Sequence, residues 1–154
     1  LKTFIADSFQ HTGINNTQDI EWIDISIKPE SNLPASIQIT AMEMEHKIPC
    51  WGYKVSDGRK KMVFITDTLP NSNAINLAEN VDVLIHEATF SHHMRVKAKD
   101  RLHTTEIQAM EIADKSNVQR LILTHFSPRL SDREIQKWTW NGKPCVVYDE
   151  KQDI

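Results

Sequence analysis

At 154 residues the chain has room for one domain with its own hydrophobic core, and 40% hydrophobic with 25% charged residues is an ordinary globular composition. A formal net charge of −3 excludes a polycation that coats nucleic acid over its whole surface. Two distant cysteines, Cys50 and Cys145, exclude a disulfide framework and a zinc-finger spacing, and no apolar run reaches the roughly 18–20 residues that cross a bilayer. Lys2 and Asp7 interrupt any signal-peptide core, so a cytoplasmic protein with reduced thiols and no membrane contact is expected.

In chain order, the first twenty residues are weakly patterned. Phe4, Ile5 and Phe9 suit a helical turn or a short buried segment, and residues 13–16 mark a turn. Ile20–Ile27 partly alternates and predicts a strand, closed by residues 28–32. Ser36–Glu45 alternates more clearly, with Ile37, Ile39, Ala41 and Met42 or Met44 at apolar positions, and predicts a strand running into His46. Trp51–Val55 predicts the next strand. An Asp57-Gly58 turn then returns the chain through Lys61–Thr66 as the second arm of a hairpin. Ala74–Ala78 suits a short helix. Val81–Ile85 and Leu121–Leu123 are short aliphatic runs of the kind that form buried strands. Between them Thr105 and Gln108 have capping-box spacing, and Ile107, Met110 and Ala113 recur at helical intervals. Strand–helix–strand in this register predicts a crossover with neighbouring parallel strands. Ser131–Trp140 predicts a further helix, and Pro144–Tyr148 a last short strand. With four glycines in the chain, neither GxGxxG nor a P-loop pattern occurs.

Three of these strands run within a residue or two into polar side chains. Met62–Ile65 leads to Asp67, Val81–Ile85 to His86 and Glu87, and Leu121–Leu123 to His125. Parallel strands end on one edge of a sheet, so residues just beyond them share a crevice. Taken singly, a His after a strand is commonly a satisfied structural residue and an Asp a turn or helix cap. Repetition at strand ends points instead to a metal or acid–base site. Imidazole and carboxylate donors suit Zn²⁺, with Mn²⁺ or Fe also compatible. Arg95, Lys97, Lys99 and Arg101 form a local basic patch, which reads equally as a solvated loop. His92 and His93 read as surface residues, His11 carries no signal, and Trp138 and Trp140 read as cover for apolar surface.

The motifs carry a resemblance. ITDT at 65–68, DVLIHEATF at 82–90, His103-Thr104-Thr105 and LILTHFSPR at 121–129 resemble the C-terminal half of ribonuclease Z, the tRNA 3′-processing endoribonuclease family of the metallo-β-lactamase superfamily. Upstream, His46 with Gly52-Tyr53 is similar to the family's H-x-x-x-x-x-G-Y segment. The resemblance runs from about Glu45 to Arg129. It implies an α/β fold: the C-terminal half of a metallo-β-lactamase-like αββα sandwich, a mixed sheet with flanking helices, filling residues 1–154 as a single domain. It also implies a metal-dependent phosphodiester hydrolase that removes tRNA 3′ trailers, with Zn²⁺ as a pair in the complete site. His46 matches a ligand of the first zinc. Asp67, in TDT where the family usually has GDT, matches the carboxylate that bridges both metals, and His125 matches a ligand of the second. Glu87 and His103 match a pair associated with proton transfer to the leaving group, with a purely structural hydrogen bond between them as the alternative. His86 is expected to be structural. Arg129, followed by Leu130 where the family has Tyr, matches a position suited to a substrate phosphate, with a helix cap or surface ion pair as the alternative.

Two departures shape the expectation. The superfamily's H-x-H-x-D-H motif, which supplies most remaining ligands, is absent from these 154 residues. The chain therefore reads as a second half whose partner is the N-terminal half carrying that motif. In addition, residues 47–66 read as a simple hairpin where bacterial ribonuclease Z enzymes insert a long tRNA-binding arm. The expected substrate is RNA or a small phosphodiester, and a homodimer is left open. The alternatives are a superfamily hydrolase of a small phosphodiester or ester, and a non-catalytic half-domain that serves in assembly.

Overall fold

The three aliphatic runs fold as three adjacent parallel strands. The computed structural model describes residues 36–146, all within the unit formed by residues 32–154. The strand expected over 20–27 and the patterns before it lie outside the described residues. β1 (Gln38–Met44), β2 (Cys50–Ser56) and β3 (Lys61–Ile65) form an antiparallel meander. β4 (Val83–Glu87) and β5 (Arg120–Thr124) extend it in parallel, giving a mixed sheet in the order β1-β2-β3-β4-β5. α1 (Ser72–Leu77) links β3 to β4, while α2 (Arg95–Asp100) and α3 (Glu106–Lys115) link β4 to β5. Both the hairpin and the crossover follow the sequence expectation.

Local chemistry sets the boundaries. At the β2–β3 turn the Asp57 carboxylate accepts the N–H groups of Arg59 and Lys60 at 2.8 and 2.7 Å. α1 starts two residues before the expected Ala74 because the Asn71 side chain caps it, accepting the Ala74 N–H at 2.9 Å. α3 carries the expected capping box of Thr105 and Gln108. Its buried face differs from expectation: Ala109, Ile112 and Ala113 are buried, and Ile107 is 38% exposed. Short alanine side chains let the helix lie close to the sheet, and Ile107 is turned toward solvent.

Val63, Ile65, Leu84, Leu121 and Leu123 alternate onto one face of the sheet and pack with Ala74, Leu77, Ala109 and Ile112 as the core. Gly52 lies under α1 on this face. A Cβ there would sit 2.7 Å from Met44 Cε, 2.9 Å from Leu77 Cδ2 and 3.1 Å from Ile65 Cγ1. Gly52→Ala is therefore expected to cost about 1–3 kcal/mol by overpacking, read as a lower urea midpoint at unchanged m-value. On the opposite face the register sets Tyr53 beside Phe64 and Val55 beside Met62. That face is apolar yet open, with Trp51, Met62 and Phe64 at 44, 40 and 41% exposure.

The helix expected over Ser131–Trp140 is a single turn, α4 (Asp132–Ile135). The chain then forms a two-residue hairpin, β6 (Thr139–Trp140) with β7 (Lys143–Pro144). Asn141 and Gly142, at φ 50° and 72°, close it as the tight turn that an Asn-Gly pair favours, and this overrides helical continuation. Trp138 and Trp140 pack against the core as expected. The remainder of the strand expected to Tyr148 lies outside the described residues.

Candidate functional site

The site sits where the parallel strands end. Asp67 follows β3 and His125 follows β5, and both adopt the left-handed conformation, at φ 51° and 57°. Asp and His tolerate this region better than most residues, and such outliers gather at functional sites. Leu102, immediately before His103, is also left-handed at φ 58°, a costlier choice for a bulky side chain. Its carbonyl accepts from His46 Nδ1 at 2.9 Å.

Glu87, the last residue of β4, organises the loops around it. Its carboxylate is fully buried. Oε1 accepts the Thr68 N–H at 2.6 Å, and Oε2 accepts the Thr104 N–H at 3.2 Å and the Thr89 hydroxyl at 2.5 Å. His103 Nδ1 lies 3.0 Å from Oε1 and 3.2 Å from Oε2. Thr104 then donates its hydroxyl to the Thr68 carbonyl at 2.6 Å, tying the loop after β3 to the loop before α3. A buried carboxylate is tolerated because it is surrounded by donors.

Asp67, His103 and His125 each bring a donor atom within 4.8 Å of the others. Asp67 Oδ1 is 3.3 Å from His125 Nδ1 and 3.8 Å from His103 Nδ1. His46 is not in that group, but its ring stands 5.1 Å from the His103 ring, which is 5.5 Å from that of His125. All three imidazoles open on one cleft of about 590 Å³, whose walls carry Lys97, Arg101 and Arg129. Asp67, His103 and His125 thus converge, Glu87 stands behind His103, and His46 shares the cleft, with the exposed Arg129 on its rim.

Burial alone would push the Glu87 carboxyl up, but hydrogen bonds from His103, Thr89 and the Thr68 N–H outweigh it and hold the group below its ordinary value. The Glu87 hydrogen bond raises the His103 imidazole against the opposing effect of burial, and the charges of Glu87 and Asp67 add to the rise. A depressed carboxylate stabilises the fold above its ordinary 4.5 and loses that contribution as pH falls through its folded value. A raised imidazole contributes fully below its ordinary 6.5 and loses that as pH rises through its folded value. In the metal-free chain, the stability gap between wild type and His103→Gln is therefore expected to be widest between pH 4.5 and 6.5. Urea midpoints across pH check this; a gap that does not vary with pH removes the ion pair.

A family model for the Beta-lactamase superfamily domain matches residues 3–126. The chain belongs to the metallo-β-lactamase superfamily. Within that superfamily it is similar to ribonuclease BN of Proteus mirabilis, 53% identical over 73 residues, which are 47% of this chain and 24% of that protein. Ribonuclease Z of Prochlorococcus marinus is 45% identical over 95 residues, 62% of this chain and 28% of that protein. Among solved structures, the short form of human tRNase Z matches with a TM-score of 0.58 at 32% identity, over 62% of this chain and 38% of that one. The long-form RNase Z from yeast matches with 0.60 at 25% identity, over 72% of this chain and 16% of that one. The chain spans about a quarter of the curated relatives it matches, and this partial coverage fits the C-terminal half of a metallo-β-lactamase fold.

Other residues of this metallo-β-lactamase chain sort clearly. His86 is buried on the helix-covered face, where burial pushes its imidazole down, and its Nδ1 bonds the Glu87 carbonyl at 2.8 Å. His92 and His93 are exposed in a short 3₁₀ turn. Sequence reasoning passed over Thr68, Thr89 and Thr104. The available signal was their repetition: each stands within two residues of a chemical side chain, in Asp-Thr, Glu-Ala-Thr and His-Thr.

Proposed function

We propose that this chain supplies the C-terminal half of a metal-dependent phosphodiester hydrolase of the ribonuclease Z type. The observation that carries this reading is the convergence of Asp67, His103 and His125 within 4.8 Å at the strand ends, with His46 on the same cleft. One carboxylate among imidazoles is a donor set that suits Zn²⁺, with Mn²⁺ or Fe as substitutes. His46 Nδ1 is held by a backbone carbonyl, which can only accept, so Nε2 is its open donor atom. In this reading Asp67, His46 and His125 would be among the residues that hold a metal pair. Zinc held there supplies Lewis acidity and lowers the pKa of bound water toward neutrality.

The chain's own residues do the rest. Glu87 fixes His103 through Nδ1 and raises its pKa, so Nε2 can deliver a proton to the leaving oxygen near neutral pH. Arg129, Lys97 and Arg101 on the cleft walls suit phosphate oxygens. His103 could also serve as a ligand, but its Nδ1 is 3.0 Å from Glu87 against 3.8 Å from Asp67, which favours the acid role. In an assembled enzyme His103→Ala is expected to lose about 10²–10⁴-fold in turnover while keeping its metal and most of its substrate affinity. Loss of metal from that variant would make His103 a ligand instead.

Among the described residues the donors are too few for a metal pair, and this reading assigns the remainder to a half carrying H-x-H-x-D-H. The open apolar face bearing Trp51, Met62 and Phe64 suits a second sheet packed against it. The 154-residue chain alone is expected to bind zinc weakly and leave bis(p-nitrophenyl) phosphate and a tRNA precursor intact. United with the other half it should hold about two metals per site and turn over. Robust hydrolysis by the 154 residues alone sinks the divided-site reading. A second reading, hydrolysis of a small phosphodiester, is favoured by the tight β2–β3 hairpin that stands where a long tRNA-binding arm would be. Turnover of the small diester without the tRNA precursor selects it, and an inert assembly selects a non-catalytic role.

A further inference from the structure

Thr89 has one hydroxyl proton and three partners. Its Oγ1 lies 2.5 Å from Glu87 Oε2, 2.9 Å from His125 Nδ1 and 3.3 Å from His103 Nδ1. The assignment of protons follows from which atoms can accept. Glu87 receives backbone N–H groups on both oxygens, from Thr68 on Oε1 and from Thr104 on Oε2, so it acts as an acceptor throughout. The short contact therefore takes the Thr89 proton. Having given it to Glu87, Thr89 can only accept from His125, whose Nδ1 must carry hydrogen.

We propose that Thr89 is a positioning residue that relays the Glu87 carboxylate to His125 and locks it as the Nδ1–H tautomer, leaving Nε2 as the lone-pair donor. One buried carboxylate then sets two imidazoles: His103 by direct contact and His125 through a hydroxyl. Asp67 Oδ1, 3.3 Å from the same Nδ1, is also an acceptor and is the rival for this role. Thr89 is the nearer partner, is 8% exposed and is itself hydrogen-bonded to Glu87, whereas Asp67 is more open to solvent. Although the consequence for a cation rests on the hydrolase reading above, the tautomer itself does not. It exists in the chain with neither metal nor substrate.

Long-range ¹H–¹⁵N spectra of the zinc-free 154-residue chain read each histidine's tautomer. His125 is expected as Nδ1–H in the wild type. In Thr89→Val, which keeps the shape and removes the hydroxyl, it should shift toward Nε2–H, the form imidazole favours in water. Thr89→Ser should restore Nδ1–H, a rescue that loss of packing alone would not produce. Competition with a chromophoric chelator should show zinc affinity reduced about tenfold or more in Thr89→Val and recovered in Thr89→Ser. An unchanged tautomer in folded Thr89→Val assigns the lock to Asp67 and overturns the proposal. So does an Nε2–H His125 in the wild type, a measurement that needs no variant to fold.

Discussion

On the proposed function, Asp67→Ala in the protein assembled with its other half is expected to lower hydrolysis by about 10²–10³-fold or more. Asp67 is the one carboxylate among the three converging donors, and its Oδ1 faces both His125 at 3.3 Å and His103 at 3.8 Å. In the proposed reading Asp67 would serve two cations, which a neutral imidazole with one lone pair cannot do. Alanine at φ 51° is also strained, by roughly 1 kcal/mol, so some of any effect is conformational. Asp67→Asn separates the two: asparagine tolerates the left-handed region and keeps the shape but carries no charge. Both variants should lose turnover and metal, while only the alanine variant should show a lower urea midpoint. His125→Ala should behave like Asp67→Ala. Elemental analysis beside steady-state kinetics decides, and unchanged rates in Asp67→Asn would remove the bridging role.

Glu87→Gln is expected to be the most destabilising conservative change at the site, by about 3–5 kcal/mol. Both carboxylate oxygens accept backbone N–H groups, Oε1 from Thr68 and Oε2 from Thr104. An amide keeps one acceptor and presents N–H groups on the other side. Whichever way it flips, a donor then faces a donor in a fully buried position. His103 loses the partner that raises its pKa, so its titration should fall back toward the ordinary imidazole range. A urea melt measures the first effect and the chemical shift of the His103 ring across pH the second. A midpoint like that of wild type would mean that Glu87 is not the hub its contacts imply.

Asp67 and Glu87 show how far one dimension reaches. Both were legible because each follows an aliphatic run too short for anything but a buried strand, and parallel strands deliver their last residues to a common edge. Motif order added His46, His103 and Arg129. The same reading misjudged α3, where helical spacing could not choose between a face bearing Ile107 and one bearing Ala109 and Ile112. The helical pattern of Ser131–Trp140 likewise yields to the Asn141-Gly142 turn, whose positive φ values and β6–β7 pairing end it.

By itself, then, the amino-acid order determined the strands, the capped helix between them and which side chains arrive at the cleft, since periodicity and caps are local properties of the chain. The tertiary structure alone decided the proton economy of that cleft. Thr89 is separated from His125 by 36 positions and Thr68 from Glu87 by 19, and their roles depend on contacts of 2.9 and 2.6 Å. A hydrogen bond is made or lost over a few tenths of an ångström, a scale set by how the loops pack rather than by spacing in the sequence.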